Sequence, residues 1–222
     1  MVMKTFIVNY KAYKEGIDNG IDIALASREI ADQFNVDIIV AVPFTLCREA
    51  ARITKAIAQG IDPVEPGAAT GKVSWYELFK SGCKGSLINH AENRRPMGEI
   101  EKLVNICKLN YLESYVCVAS LEEAKEVAKL NPTAVSYEPP ELIGSAMREG
   151  GASVATANEE IVKDFVTIVH GNSDSLALVG AGIKEAADVK KSVELGSDGI
   201  LVASVIMNRD FRRKIEELAG AL

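Results

Sequence analysis

Apolar residues along this chain follow two alternating periodicities. Short runs rich in β-branched residues, apolar at almost every position, recur from end to end. Each is followed by a stretch whose apolar residues repeat every three or four positions. The runs predict strands over Thr5 to Asn9, Asp37 to Val42, Ala56 to Gln59, Ser86 to Asn89, Tyr115 to Val118, Ala134 to Tyr137, Leu176 to Val179 and Gly199 to Val202. Unbroken apolarity is what a strand covered on both faces requires, as in a parallel sheet flanked by helices. Leu121, Ala124, Val127 and Ala128 form one helical stripe, and Ile161, Val162, Phe165, Val166, Ile168 and Val169 form another. Ser120 and Glu123 have the spacing of a capping box, and Asn158 stands as an N-cap before the acidic pair Glu159 and Glu160. Gly196 is placed to close the helix before the last strand.

Eight such units in 222 residues predict an α/β fold, a single (β/α)8 barrel with a parallel eight-stranded core over residues 1–222. An open doubly wound sheet would usually carry Gly-x-Gly-x-x-Gly after its first strand, where this chain has Asn9-Tyr10-Lys11-Ala12-Tyr13. No Ser-, Gly- or Pro-rich linker divides the sequence.

Charge and cysteine content narrow the function classes. With 25 Lys and Arg against 31 Asp and Glu, the net charge of −6 argues against nucleic-acid or anionic-membrane binding, so an anionic substrate needs a local positive site. The apolar start, Met1 to Val8, is too short for a signal sequence, and no later run approaches the ~20 residues that span a bilayer. A cytosolic protein is expected. Cys47, Cys83, Cys107 and Cys117 lack Cys-x-x-Cys spacing and read as small buried hydrophobes.

In a barrel the chemistry gathers at the C-terminal strand ends. The first strand ends in Asn9-Tyr10-Lys11, an amide and a cation; alone, Lys11 reads equally as a surface lysine. The fourth leads into His90, one of two histidines, which alone is as readily structural as catalytic. His170, at the end of a helix, is expected to be a surface partner of the helix dipole without a catalytic role. The sixth strand leads into Glu138, followed by Pro139 and Pro140 and then by Leu142-Ile143-Gly144. This is a carboxylate before a stiff, apolar-tipped loop: either a base with a lid, or an ordinary strand end with a surface Glu. The last two strands lead into Gly180-Ala181-Gly182 and Val202-Ala203-Ser204, whose small residues expose backbone N–H groups, as turn chemistry or as a phosphate cradle. Together these groups suit enolisation without metal or organic cofactor. Glu138 would be the base, and His90 and Lys11 would stabilise the enolate oxygen.

These same segments resemble the triosephosphate isomerase family in its short archaeal form. The resemblance rests on Asn9-Tyr10-Lys11, the loop Asp62 to Gly71, Asn89-His90-Ala91-Glu92-Asn93-Arg94, Glu138 to Gly144, Gly180 to Ile183 and Gly199 to Ser204, in that order. It implies a TIM barrel interconverting dihydroxyacetone phosphate and D-glyceraldehyde 3-phosphate through an enediolate, with Glu138 shuttling the proton, neutral His90 polarising the carbonyl and Lys11 offsetting substrate charge. It further implies that Asn9 orients the substrate oxygens, that Glu92 supports Lys11, and that backbone groups of Gly144, Gly182, Ala203 and Ser204 hold the phosphate. Thr70 would reach a neighbouring subunit's active site, giving a homodimer or a tetramer. Ala91, Ser145-Ala146 and Val205 depart from the family pattern and imply altered loop kinetics and phosphate affinity. The Gly180 to Ser204 region alone would equally fit another phosphate-binding barrel enzyme or a non-catalytic barrel that binds a phosphorylated metabolite.

Overall fold

A computed structural model describes residues 3–139, 155 and 158–222. Eight parallel strands close into a barrel in sequence order: β1 (Thr5–Asn9), β2 (Asp37–Val42), β3 (Ala56–Ala58), β4 (Gly85–Ile88), β5 (Glu113–Val118), β6 (Ala134–Tyr137), β7 (Leu176–Val179) and β8 (Gly199–Val202). Helices on the outside include α1 (Lys14–Asp18), α2 (Gly20–Phe34), α3 (Cys47–Ala51), α4 (Trp75–Ser81) and α5 (Met97–Leu109). They continue with α6 (Leu121–Lys129), α7 (Glu159–Asn172), α8 (Ala186–Glu194) and α9 (Phe211–Ala219). The expected (β/α)8 architecture is therefore present.

Closure divides each apolar run between two cores. Ile7, Ile39, Ile57, Leu87, Tyr115 and Leu178 pack inside the barrel. Their neighbours Phe6, Val8, Ile38, Val40, Val116 and Val135 point outward into a larger cluster beneath the helices. The two-residue period of a strand produces this split, and burial of both faces explains why the runs show no polar alternation. The two predicted helical stripes supply the other side of that outer layer. Ala124, Val127 and Ala128 are buried on α6, as are Val162, Phe165, Val166 and Val169 on α7. Phe165 stacks on Tyr137 of β6 with ring centroids 5.3 Å apart.

Two local expectations are corrected. Gln59 and Asn89 lie just beyond their strands, because each side chain is committed to hydrogen bonds around the barrel mouth. At α6, Ser120 Oγ accepts from Glu123 N at 3.2 Å, but the Glu123 carboxylate takes Ala119 N at 2.7 Å rather than the N–H of Ser120. It also binds Arg94 Nη2 at 2.5 Å and Asn89 Nδ2 at 3.0 Å, so tertiary partners draw it out of a reciprocal box. Asn158 does cap α7, accepting from Ile161 N at 3.2 Å, and Gly196 ends α8 with φ +98°. His170 lies in the last turn of α7, its Nε2 2.7 Å from Asp198 Oδ2 on the outer surface. All four cysteines are buried free thiols, and no described helix is long and apolar enough to cross a membrane.

Where β8 meets β1, a Cβ on Gly199 would lie 1.8 Å from Thr5 O, inside the backbone of its neighbour. Gly199→Ala is expected to cost about 3 kcal/mol or more, the upper range for overpacking, measured as a lowered urea midpoint. Gly98→Ala is the control. Nothing lies within 4 Å of its Cβ on α5, so it should raise stability by about 0.4–1 kcal/mol.

Candidate active site

The C-terminal ends of β1, β4, β6, β7 and β8 converge on one opening, lined by Lys11, His90, Glu138, Gly182, Ala203 and Ser204. Asn9 and Glu92 line an adjoining recess together with Lys11 and His90. Thr70 stands apart, exposed on the 62–73 loop and away from its own chain's opening. Gly144 and the rest of the predicted lid from Pro140 onward, including Ser145 and Ala146, lie outside the described residues.

Lys11 follows β1 in a left-handed conformation, φ +48°, which a non-glycine residue adopts only when its surroundings hold it there. Asn9 Oδ1 accepts from Lys11 N at 3.0 Å, and Gln59 Nε2 donates to Lys11 O at 2.9 Å, to Asn9 Oδ1 at 3.2 Å and to Ala41 O at 3.2 Å. One amide thus ties the ends of β1 and β2 to β3. Lys11 Nζ pairs with Glu92 Oε1 at 2.8 Å across the mouth.

After β4, Asn89 also turns left-handed, φ +62°, and its side chain binds Cys117 O at 2.8 Å and Arg95 N at 2.9 Å. This turn breaks the strand alternation and aims His90 into the mouth. His90 is only 7% exposed, and its Nδ1 accepts from Glu92 N at 3.2 Å. Accepting there leaves the proton of a neutral ring on Nε2. Burial, followed by the nearby Lys11 charge, lowers the His90 pKa to about 4 against the opposing effect of Glu92, so the ring is neutral near pH 7. Its Nε2 lies 3.4 Å from Glu138 Oε2.

Glu138 is 3% exposed immediately after β6. Burial raises its pKa to about 7, opposed chiefly by the Cys117 thiol, whose Sγ lies 3.5 Å from Glu138 Oε1, and by the Lys11 charge. Room for the carboxyl depends on Gly180. A Cβ there would stand 2.6 Å from Glu138 Cγ and 2.7 Å from its Oε1. Gly180 N is engaged by Tyr137 O at 3.0 Å, whereas Gly182, with φ +74°, Ala203 and Ser204 donate their N–H groups to no described backbone acceptor. Those three N–H groups therefore remain available at the opening, as Gly180 N does not.

Sequence reasoning missed Gln59, Cys117 and the steric role of Gly180. Gln59 carried a signal, a polar residue ending an apolar strand. Cys117 carried none, since its nearness to Glu138 depends on the β5–β6 register, in which Cys117 pairs with Ser136.

A buried carboxyl titrating near neutrality beside a neutral imidazole can take a proton and return it. Fold and cluster define a class, the (β/α)8 barrel equipped for acid–base chemistry at its C-terminal mouth. The chain belongs to the triosephosphate isomerase family, whose sequence model matches residues 4–218. It is 39% identical to the triosephosphate isomerase of Caldivirga maquilingensis, covering all of this chain and 99% of that protein. It is 38% identical to that of Methanocaldococcus jannaschii, covering 96% and 97% of the two chains, and 39% identical to that of Methanothermus fervidus, covering 96% of each.

Gly180→Ala is expected to push the Glu138 carboxyl away from His90 and lower kcat for triose phosphate isomerisation by about 10²-fold, the effect of ~1 Å misplacement. Wild-type kcat in this variant would show that the Gly180 gap does not position the carboxyl.

Proposed function

We propose that this protein interconverts dihydroxyacetone phosphate and D-glyceraldehyde 3-phosphate, with Glu138 as the proton shuttle. The observation that carries this reading is the contact between Glu138 Oε2 and the neutral His90 Nε2 at 3.4 Å, at a mouth that also holds a cation and free backbone donors. The ionised Glu138 removes a proton from the carbon next to the carbonyl. His90 donates from Nε2 to the oxygen on which negative charge develops, and Lys11 stabilises that charge through space. A neutral donor suits this task, because the N–H of a neutral imidazole is closer in acidity to the enediol hydroxyl than that of an imidazolium is. The hydroxyl proton on the neighbouring oxygen passes to the developing oxyanion by way of His90 Nε2, and the protonated Glu138 returns its own proton to the adjacent carbon, which converts ketose to aldose. Asn9 holds Lys11 in its left-handed turn, and Glu92 fixes the ammonium. The phosphate rests on the N–H groups of Gly182, Ala203 and Ser204, which hold it by hydrogen bonds where no positive side chain is required.

The assembly is at least a homodimer in this reading, with Thr70 serving a neighbouring subunit. Its exposure on a loop remote from its own site supports this, and light scattering distinguishes monomer, dimer and tetramer. Four buried free thiols fit the reducing cytosol.

The pH dependence follows from the carboxyl. Glu138 acts as a base only when ionised and its pKa lies near 7, so kcat/KM should rise with pH through about 7 and fall about tenfold per unit below it. An acid limb at the ordinary carboxyl value near 4.5 would contradict a buried Glu138 as base. Glu138→Asp, which shortens the side chain by one methylene, is expected to lower kcat by about 10²-fold or more in a coupled assay. Wild-type turnover in this variant would remove Glu138 from the role. Absent turnover in the wild type, with phosphate binding retained, would leave a non-catalytic phosphate-binding barrel.

A further inference from the structure

Two residues before Glu138, on the same inward face of β6, stands a hydroxyl that the reaction as described leaves unused. Ser136 is 1% exposed, and its Oγ has no hydrogen-bond partner among the described residues. Burying a hydroxyl without a partner costs the desolvation of that group. Ala134, two positions earlier on the same face, incurs no such cost. The surroundings of Ser136 Oγ give the hydroxyl a use. Ser136 Oγ and Glu138 Oε1 each lie 2.7 Å from the one point that a Gly180 Cβ would occupy. They border the same small gap beside Gly180, with the hydroxyl close to the carboxyl but outside hydrogen-bonding geometry in this arrangement.

A hydroxyl is both donor and acceptor and can rotate. It can donate to a carboxylate and, after a proton arrives, accept from the resulting carboxylic acid. Few neutral groups can partner a carboxyl in both of its states. We propose that Ser136 is a positioning residue for proton transfer, its hydroxyl turning across the Gly180 gap to hold Glu138 Oε1 in both protonation states while Oε2 faces His90. The inference rests on the reading of Glu138 as base only for its kinetic consequence, since the nearness of both groups to the Gly180 gap is a property of the fold.

The groups facing Glu138 from neighbouring elements are few. His90 comes from the end of β4 and is neutral near pH 7, while Cys117 comes from β5 as a thiol whose pKa burial raises. Lys11 and Glu92, from beyond β1 and β4, act at longer range with opposite signs, and Gly180 beyond β7 brings no charge. On β6 itself, the Ser136 hydroxyl, once turned to donate to Glu138 Oε1, would favour the ionised carboxyl. Removing this donor should therefore make the carboxyl hold its proton more tightly.

The test follows the carbon-13 NMR signal of the Glu138 side-chain carboxyl through a pH titration in wild type, Ser136→Ala and Ser136→Cys. In Ser136→Ala, proton affinity is expected to rise at least about threefold, half a pH unit. The acid limb of kcat/KM should move upward with it. Ser136→Cys fills the space but donates weakly, so its titration should move the same way by less. A Glu138 carboxyl that titrates at the wild-type pH in both variants overturns the proposal whatever turnover does. An NMR shift with an unmoved kinetic limb would confirm the Ser136 contact and count instead against Glu138 as the base.

Discussion

Glu138 lies with almost no surface in contact with water, and an ionised carboxyl loses several kcal/mol of hydration on such burial unless its surroundings replace it. Here the replacement is partial. A thiol and a lysine some distance away leave the group balanced near neutrality instead of fully ionised. That incomplete compensation suits the proposed role, because a base whose pKa lies near the working pH is ionised often enough to act and strong enough to take a proton. The rest of the mouth can be understood as what is needed to keep such a group dry and in place. The missing side chain at Gly180 makes room for it, and β5 supplies its thiol neighbour.

A second constraint is backbone conformation. Strand alternation would send side chains inward and outward in strict turn, but a site needs particular groups at one level of the mouth. Left-handed turns at Lys11 and Asn89 re-aim the chain at both places. Each costs of order 1–3 kcal/mol for a non-glycine residue and persists only where partners hold it. The partners are amides: Asn9 and Gln59 around Lys11, and the Asn89 side chain bridging β5, Arg95 and Glu123. Glu123 illustrates the coupling. It was expected to complete a helix cap, yet it spends its carboxylate on the segment that presents His90, so the start of α6 and the position of the imidazole depend on one side chain.

What could be read from sequence and what could not divides along a physical line. The eight strands, the two helical stripes, the Asn158 cap and the Gly196 terminator depend on residues a few positions apart, and periodicity and propensity report them. The charged and strand-end residues Lys11, His90 and Glu138 were also legible, since polar groups closing apolar runs stand out. Gln59 was visible in the same way and was passed over as the last residue of a strand.

Cys117, Ser136 and Gly180 were of another kind. Each looks ordinary in its own segment: a small apolar residue, a small polar one within a strand, and a turn glycine. They acquire meaning because closing the barrel sets β5, β6 and β7 side by side in one register, bringing a thiol, a hydroxyl and an absent side chain around the same carboxyl. The sequence by itself determined which segments become strands and which ionisable groups end them, because those are local matters of burial and period. Only the tertiary structure decided how those groups titrate, since the dryness of Glu138 and the neutrality of His90 arise mostly from neighbours distant in the chain, Cys117 and Lys11 among them.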